Sequence, residues 1–249
     1  IFMQFNEEII LKGLNLANFE LKTYQLIDST NDECKRISSN KDILVVTADQ
    51  QNKGKGRKGK KWHSPEGNIS LSIAFADREF DVPISIAIGI LVKDALSEVF
   101  NLDSIKLKWP NDLVFEKKKI GGILVEKEVF SNYTKAIVGI GINLELEKKE
   151  SWWGDFGDLN GKNLRDKIIN KILVKFEALF KDGLNDWKNL WNQSCIHNDA
   201  IISVVRNDEI IKGKYLGIND SGELMLENET GEIISFSSGE VSIKGIYNK

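Results

Sequence analysis

A short cationic segment at residues 53–61, with the sequence KGKGRKGKK, holds the residues best suited to chemistry. Six of its nine residues are basic and the other three are glycine. Glycine allows the backbone to turn its N–H groups toward an anion, and lysine and arginine side chains can then close over it. The segment therefore predicts a flexible cationic lid over a phosphate-bearing ligand or intermediate. A solvated, mobile connection is the alternative interpretation.

The nearest generic pattern for this segment is the P-loop, G-x-x-x-x-G-K-[ST], because Gly54, Gly59 and Lys60 occupy its first three fixed positions. The last position fails, since Lys61 has no hydroxyl group to offer Mg²⁺. The residues that follow, WHSPEG, cannot open the helix whose N-terminus a P-loop requires. A Walker-type nucleotide site is therefore excluded.

Three small polar residues, Ser29, Thr30 and Asn31, stand where a strand is predicted to end and a helix to begin. Thr30 and Glu33 have the spacing of a capping box, and a role as helix caps would explain all three residues. The same side chains also form a compact set of hydrogen-bond partners for a polar ligand head group.

A run of three lysines at residues 117–119 is predicted to form the tip of a hairpin, which is usually only a solvated turn. Gly121 and Gly122 follow directly, and there the backbone can approach a ligand closely. This neighbourhood favours a functional role for Lys119. The later GIGIN sequence at residues 139–143 is not a dinucleotide fingerprint, because it lacks the third glycine and no helix follows.

The elements that must position these groups follow from the hydrophobic pattern. Residues 1–22 are predicted to form a short, partly helical lead-in, and strands at residues 43–47 and 68–75 flank the cationic segment. From residue 200 onward, short alternating segments with turn signals predict a small antiparallel barrel of about five strands, with a boundary near residue 197. The remaining predicted elements are helices at residues 83–100, 164–182 and 184–192 and strands at residues 105–109, 113–116, 120–126 and 135–146.

Composition narrows the class of protein. The 249 residues are 41% hydrophobic with a net charge of −3, so the basic segment stands against a mildly acidic background and general nucleic-acid affinity is disfavoured. Cys34 and Cys195 have no ligand spacing, which favours a cytoplasmic, reduced protein. Two histidines are too few for a histidine-based zinc site or triad, and the longest apolar run, residues 84–92, is too short to span a membrane.

Six short motifs, taken in order, resemble the biotin protein ligase family along nearly the whole chain. The lid sequence GKGRKGKKW is similar to the family pattern G-R-G-R-x-G-R-x-W and is the most specific of them. The motifs are DSTN at 28–31, GKGRKGKKW at 54–62, KWPND at 108–112, KIGGILVE at 119–126 and GIGIN at 139–143, with GEVS at 239–242 near the C-terminus. The resemblance implies an α+β catalytic domain at residues 1–197 with a mixed sheet, like that of class II synthetases. An SH3-like β-barrel would follow at residues 198–249.

The implied activity is ATP-dependent and Mg²⁺-dependent conversion of biotin to biotinyl-5′-AMP, followed by transfer to a lysine of the biotin carboxyl carrier domain of acetyl-CoA carboxylase. Arg57 and Lys119 are the implied catalytic residues, and Asp112 is the implied metal ligand. The implied biotin-binding residues are Ser29, Thr30, Asn31, Gln51, Lys55, Gly56, Arg57 and Lys119. The implied ATP-binding residues are Lys60, Lys108, Asn111, Asp112, Asn143, Trp153 (or its neighbour Trp152) and Lys244.

This sequence departs from the family at Lys55 and Lys60, where lysine replaces arginine and removes the bidentate fork. We expect no sequence-specific DNA binding, because the lead-in is too short for a winged-helix domain. The oligomeric state is left open, with a homodimer among the options. Two other functions compete: a lipoate or other acyl-acid ligase of the same fold, and a non-enzymatic RNA-binding module that uses the basic loop and the barrel.

Overall fold

The computed structural model describes residues 4–78, 80–147, 150–206, 209–238 and 241–244, the last four by their backbone alone. Two sheets, five α-helices and three short 3-10 helices are found in this part of the chain. The helices are α1 (Glu7–Leu11), α2 (Thr30–Arg36), α3 (Ile84–Phe100), α4 (Arg165–Asp182) and α5 (Trp187–Ser194). The first sheet contains β1 (Phe19–Ile27), β2 (Ile43–Gln51), β3 (Ile69–Ala76), β4 (Lys106–Lys108), β5 (Asp112–Phe115), β6 (Lys118–Val129) and β7 (Thr134–Ile142).

The first sheet has the strand order β1-β2-β3-β7-β6-β5-β4. Strands β1 and β2 are parallel and joined through α2, whereas the other neighbours pair antiparallel. The predicted mixed sheet is confirmed. The predicted lead-in was too long, because β1 begins at Phe19, which pairs with Ile43 of β2.

Helices α3 and α4 pack on one face of this sheet and α2 packs on the other. Alternate residues of β2 divide between the two faces: Ile43 and Val45 belong to the main core, and Leu44 and Val46 to a smaller cluster that also contains Cys34 of α2. Burial on both faces explains why β2 is a continuous apolar run in the sequence. In the described part of the chain, no helix is both long enough and apolar enough to cross a bilayer.

The second sheet is antiparallel and has five strands, in agreement with the prediction. Its strands are β8 (Ile201–Arg206), β9 (Glu209–Ile218), β10 (Leu224–Asn228), β11 (Ile233–Phe236) and β12 (Val241–Lys244), in the order β11-β10-β9-β8-β12. The pairings found among the described residues do not include β11 with β12, the two edges that a closed barrel would join.

The two sheets share one hydrophobic core, and hydrogen bonds link the second sheet and its turns to α5 and to the residue after β4. The indole N–H of Trp191 donates to the Tyr215 hydroxyl over 2.9 Å, and that of Trp109 donates to the Gly222 carbonyl over 3.0 Å. Trp109 belongs to the KWPND sequence. The second sheet therefore supports the turn between β4 and β5, where several predicted site residues lie.

Candidate functional site

One cavity of about 430 Å³ opens over strands β3, β7 and β6, beneath the cationic segment. It brings together every predicted site residue except Lys244, whose side chain lies outside the described residues. The predicted residues that line it are Ser29, Thr30, Asn31, Gln51, Lys55, Gly56, Arg57, Lys60, Lys108, Asn111, Asp112, Lys119, Asn143, Trp152 and Trp153.

The floor of the cavity includes bare backbone of β7, which explains the GIGIN sequence. A Cβ atom at Gly139 would overlap the Asn31 amide, and one at Gly141 would lie 2.6 Å from the Trp62 ring. Gly122 on β6 is less crowded, since a Cβ there would lie 3.5 Å from the Lys119 side chain. Two of these glycines are therefore required for space, because no larger side chain fits.

At one end of the cavity, α2 presents a buried hydrogen-bonding group. The backbone N–H and the hydroxyl of Thr30 both approach Gln51 Oε1, at 2.8 and 3.1 Å. Gln51 Nε2 donates to the Ser64 hydroxyl over 2.8 Å, and the Ser72 hydroxyl lies 2.7 Å from Thr30 Oγ1 and 2.6 Å from Asn31 Oδ1. This end therefore offers oriented hydroxyl and amide groups to a ligand.

The N-terminal cap of α2 is Ser29 and not Thr30. The Ser29 side chain accepts a hydrogen bond from the backbone N–H of Asp32 over 3.4 Å. Thr30 is the first residue of the helix, and Glu33 hydrogen-bonds Tyr24 and Arg36 instead of closing a capping box. The helix therefore starts one residue earlier than predicted, and Thr30 lines the cavity from its first turn.

Ion pairs that sequence reasoning did not identify surround this end of the cavity. Lys55 Nζ lies 2.6 Å from the Asp32 carboxylate, Lys35 Nζ lies 2.8 Å from Glu126, and Asn31 Nδ2 donates to Glu126 over 2.7 Å. The hydrogen bonds from Lys35 and Asn31 hold the pKa of Glu126 below its usual value, against the effect of its burial. Glu126 is the last residue of the KIGGILVE motif, and this membership is the only feature of the sequence that points to its contacts with Lys35 and Asn31.

At the other end of the cavity, cationic side chains surround a single carboxylate. Lys119 Nζ lies 2.5 Å and Lys108 Nζ 3.7 Å from Asp112, while Arg57 Nη1 donates to Asn111 Oδ1 over 3.2 Å. Burial lowers the pKa of Lys108 and of Arg57 from their ordinary values, in each case partly offset by the charge of Asp112. Three positive charges in a partly desolvated site suit a polyanionic ligand.

The prediction that Lys119 lies at a hairpin tip was wrong. The tip is formed by Glu116 and Lys117, which both have positive φ angles, and Lys119 lies within β6. Its backbone N–H donates to the Trp152 carbonyl and its own carbonyl accepts from Gly154 N, each over 2.9 Å. Lys119 is therefore held on rigid backbone and aligned with the aromatic loop.

Aromatic rings close this part of the cavity. The Trp153 ring stacks on His63 at 5.8 Å with an interplanar angle of 18°, and Lys119 Nζ lies 5.5 Å from the Trp62 ring. Asn143 is buried, and its Nδ2 donates to the Gly154 carbonyl over 3.0 Å, which holds the aromatic loop in place. Flat apolar surface beside a cationic group suits a nucleotide base next to its phosphates.

The cationic segment forms a strap across the opening of the cavity. The Gly56 N–H donates to the Lys60 carbonyl over 2.7 Å, residues Arg57–Gly59 form a 3-10 turn, and Lys58 has a φ angle of 56°. Arg57 also hydrogen-bonds the Ser238 carbonyl next to the second sheet. The predicted position of this lid is therefore found, while its mobility stays a prediction.

The side chains that line the cavity limit the kind of metal site that it can form. No group of three or more His, Cys, Asp or Glu side chains among the described residues could hold a metal ion. Asp112 carries the only carboxylate among the described side chains that line the cavity. Magnesium is commonly bound by one or two carboxylates together with substrate phosphates, so this arrangement fits Mg²⁺ that arrives with ATP and does not fit a resident metal cage.

Comparisons with known proteins agree on one family. The Biotin/lipoate A/B protein ligase family matches residues 23–143, and the Biotin protein ligase C terminal domain matches residues 201–244. The Bifunctional ligase/repressor BirA of Salmonella typhimurium is 30% identical over 234 residues, which cover 88% of this chain and 72% of the relative.

Two further relatives are matched by this chain over most of their own length. The Biotin--[acetyl-CoA-carboxylase] ligase of Mycobacterium tuberculosis is 29% identical over 238 residues, 86% of this chain and 85% of the relative. The structure of biotin protein ligase from Aquifex aeolicus in complex with biotin and ATP has a TM-score of 0.70 at 26% identity, covering 90% of this chain and 98% of that chain. The cavity, its motifs and these relatives agree, and the chain belongs to the biotin protein ligase family.

Proposed function

We propose that this protein activates biotin with ATP to biotinyl-5′-AMP and transfers the biotinyl group to a lysine of a biotin carboxyl carrier domain. The observation that carries this proposal is the single cavity, which joins the hydrogen-bonding group of α2 to the cationic cluster around Asp112. A polar head group and a polyphosphate can therefore lie end to end in one site. Relatives named as biotin ligases support the substrate, and a related structure holds both biotin and ATP.

Biotin would be bound at the α2 end. Its ureido ring carries one acceptor and two donors, and Ser29, Thr30, Asn31 and Gln51 provide hydroxyl and amide groups of both kinds. The biotin tail would then run beneath the strap of Lys55, Gly56 and Arg57, so that its carboxylate reaches Lys119.

In the first step, a biotin carboxylate oxygen attacks the α-phosphorus of ATP, and pyrophosphate leaves as the new mixed anhydride bond forms. Two anions must approach each other, so the barrier falls when fixed positive charge surrounds the reacting atoms. Lys119 and Arg57 supply that charge at the forming bond, and Lys108 supplies it along the phosphates. Asp112 and Asn111, together with the phosphates, would hold Mg²⁺, which when bound would supply further positive charge at this end of the cavity.

In the second step, the neutral amine of the carrier lysine attacks the biotinyl carbonyl carbon, and AMP leaves with the electrons of the broken C–O bond. The amine loses a proton to solvent or to the departing phosphate. No covalent bond between biotin and the protein is required in either step. Cys34 and Cys195 are both buried and unpaired, and burial raises their thiol pKa values to about 12 and about 11, so neither is a competent nucleophile.

The nucleotide would lie toward the aromatic end. Trp153 would stack on adenine, Asn143 would hold the loop that carries it, and Lys60 would approach the phosphates from the strap. We assign residues 1–197 to the catalytic domain and residues 198–249 to the C-terminal domain. The second sheet would hold the KWPND turn through the hydrogen bond between Trp109 and Gly222.

A lipoate ligase of the same fold would require an apolar tunnel where this chain has the α2 hydrogen-bonding group, so the geometry favours biotin. Exchange of pyrophosphate into ATP would test the proposal, measured with biotin, with lipoate, with neither acid, and with biotin after Mg²⁺ is chelated. We expect exchange only with biotin and Mg²⁺. Exchange with lipoate at an equal rate, or exchange without any acid, would contradict the proposed substrate.

A further inference from the structure

The contact made by Lys55 differs from the role that its motif implies. Lys55 Nζ lies 2.6 Å from each oxygen of the Asp32 carboxylate, on the first turn of α2. The resemblance places this lysine over the biotin carboxylate and the adenylate phosphate. In the structure its charge is instead directed to a protein carboxylate at the rim of the cavity.

Asp32 is held in position by neighbours on α2 and β6. Lys35 Nζ lies 3.6 Å from Asp32 and 2.8 Å from Glu126, so the two carboxylates share one lysine. Glu126 in turn accepts a hydrogen bond from Asn31, which lines the cavity. The partner of Lys55 is therefore part of a fixed network and is not a lone surface charge.

Arg57, two residues later, holds the same strap at a second place. Arg57 hydrogen-bonds Asn111 at the β4–β5 turn and the Ser238 carbonyl beyond it. Lys55 and Arg57 thus attach the same short segment to two different rims of the cavity. Gly56, between them, lines the cavity.

We propose that Asp32 is a positioning residue that latches the strap through Lys55 and so slows the escape of the activated intermediate. This inference rests on the proposed function, because it concerns the retention of biotinyl-5′-AMP. The latch acts on the strap and makes no contact with the phosphate. It therefore affects how long the intermediate stays bound more than how fast it forms.

The size of the effect follows from exposure. The Lys55 and Asp32 side chains are 44% and 22% exposed, so water and salt screen the pair, and similar pairs change an equilibrium by about two- to fivefold. Salt should weaken the pair further, since the Debye length is about 8 Å at physiological ionic strength. We therefore expect release to be about two- to fivefold faster when either partner is neutralised.

The experiment compares wild type with Asp32→Asn, Lys55→Gln and the double variant. Each protein is loaded with biotin and ATP, separated rapidly from free ligand, and sampled for bound biotinyl-5′-AMP over time at low and high salt. Lys53→Gln is the matched control, because Lys53 is an exposed lysine of the same segment that does not line the cavity. Pyrophosphate exchange and thermal unfolding are measured on the same samples.

If the latch exists, the two single variants release the intermediate equally fast, the double variant is no faster than either, and high salt narrows the roughly two- to fivefold difference that separates these variants from wild type and Lys53→Gln. Release at the wild-type rate by both single variants would overturn the latch. Additive effects of the two substitutions would also overturn it, since Lys55 would then act directly on the phosphate. A wild-type protein that forms no intermediate would instead refute the proposed function on which the latch depends.

Discussion

Replacing Lys119 by alanine is the most direct test of the proposed chemistry. The side chain lines the cavity at its cationic end, 2.5 Å from Asp112, and is only 18% exposed. Its backbone hydrogen bonds to Trp152 and Gly154 do not depend on the side chain. The variant should therefore keep the strand and the aromatic loop while it loses one charge at the reacting atoms.

The expected loss can be estimated from the surroundings of this lysine. Removing one preorganised donor that stabilises developing charge costs about 3–4 kcal/mol of barrier, or roughly 100- to 1,000-fold in rate. Lys108 lies 3.7 Å from the same carboxylate and keeps Asp112 paired when Lys119 is absent. The loss in rate should lie within that range, and the free energy of unfolding should change little, because Asp112 is not left as an uncompensated charge.

The assay is biotin-dependent exchange of pyrophosphate into ATP at saturating substrates, with thermal unfolding measured in parallel. Lys118→Ala is the matched control, since Lys118 is an exposed neighbour on the same strand that does not line the cavity. Lys119→Arg keeps the charge and should retain more activity than Lys119→Ala. A folded Lys119→Ala variant that exchanges within threefold of wild type would refute the reasoning.

Three other predictions concern buried charge. Burial lowers the pKa of Lys108, so the KM for ATP should begin to rise at a pH below the ordinary lysine pKa. Lys108→Arg should move this rise in KM to higher pH, because arginine stays charged. A rise in KM at the same pH in both proteins would count against this. His197 is fully buried without a hydrogen-bond partner for either ring nitrogen among the described residues, and burial lowers its pKa to about 3. The unfolded chain therefore binds more protons between pH 6.5 and 3, and stability is lost as the pH falls through that window. His197→Phe should remove a loss of about 3 kcal/mol between pH 7 and pH 4, measured by urea titration at each pH. Arg165 and Asp49 form an ion pair in which each side chain is 1% exposed, so Arg165→Met should destabilise the fold by about 3–5 kcal/mol, and urea midpoints equal to wild type would disprove this.

The described residues that the resemblance implied as a site line one cavity, and the glycines of the GIGIN motif have a steric cause there. Gly139 and Gly141 have no room for side chains, and such positions are readable as glycine in a strand. The charge of residues 53–61 indicated the position of the lid, and the alternation of apolar and polar residues, together with turn signals, indicated the C-terminal strands.

The prediction failed where the local sequence pattern is weak, and it missed contacts that form only in the folded chain. Strand β1 lies at the edge of its sheet and is partly exposed along its length; Phe19 and Leu21 alternate with Glu20 and Lys22, a short strand pattern that the predicted lead-in overlooked. The turn at Glu116 and Lys117 uses two positive φ angles without the usual Asn-Gly signal, which moved the predicted hairpin tip onto Lys119. The partner of Lys55 is 23 residues away at Asp32, and only the folded chain brings the two together.

The glycine floor of the cavity sets a one-sided limit on attempts to change the acid that this site accepts. Glycine is already the smallest residue, so no substitution at Gly139 or Gly141 can deepen the cavity, and any substitution there pushes on Asn31 or Trp62. Variant libraries aimed at bulkier acids should therefore keep both glycines and vary the walls, for example Leu124, which also lines the cavity.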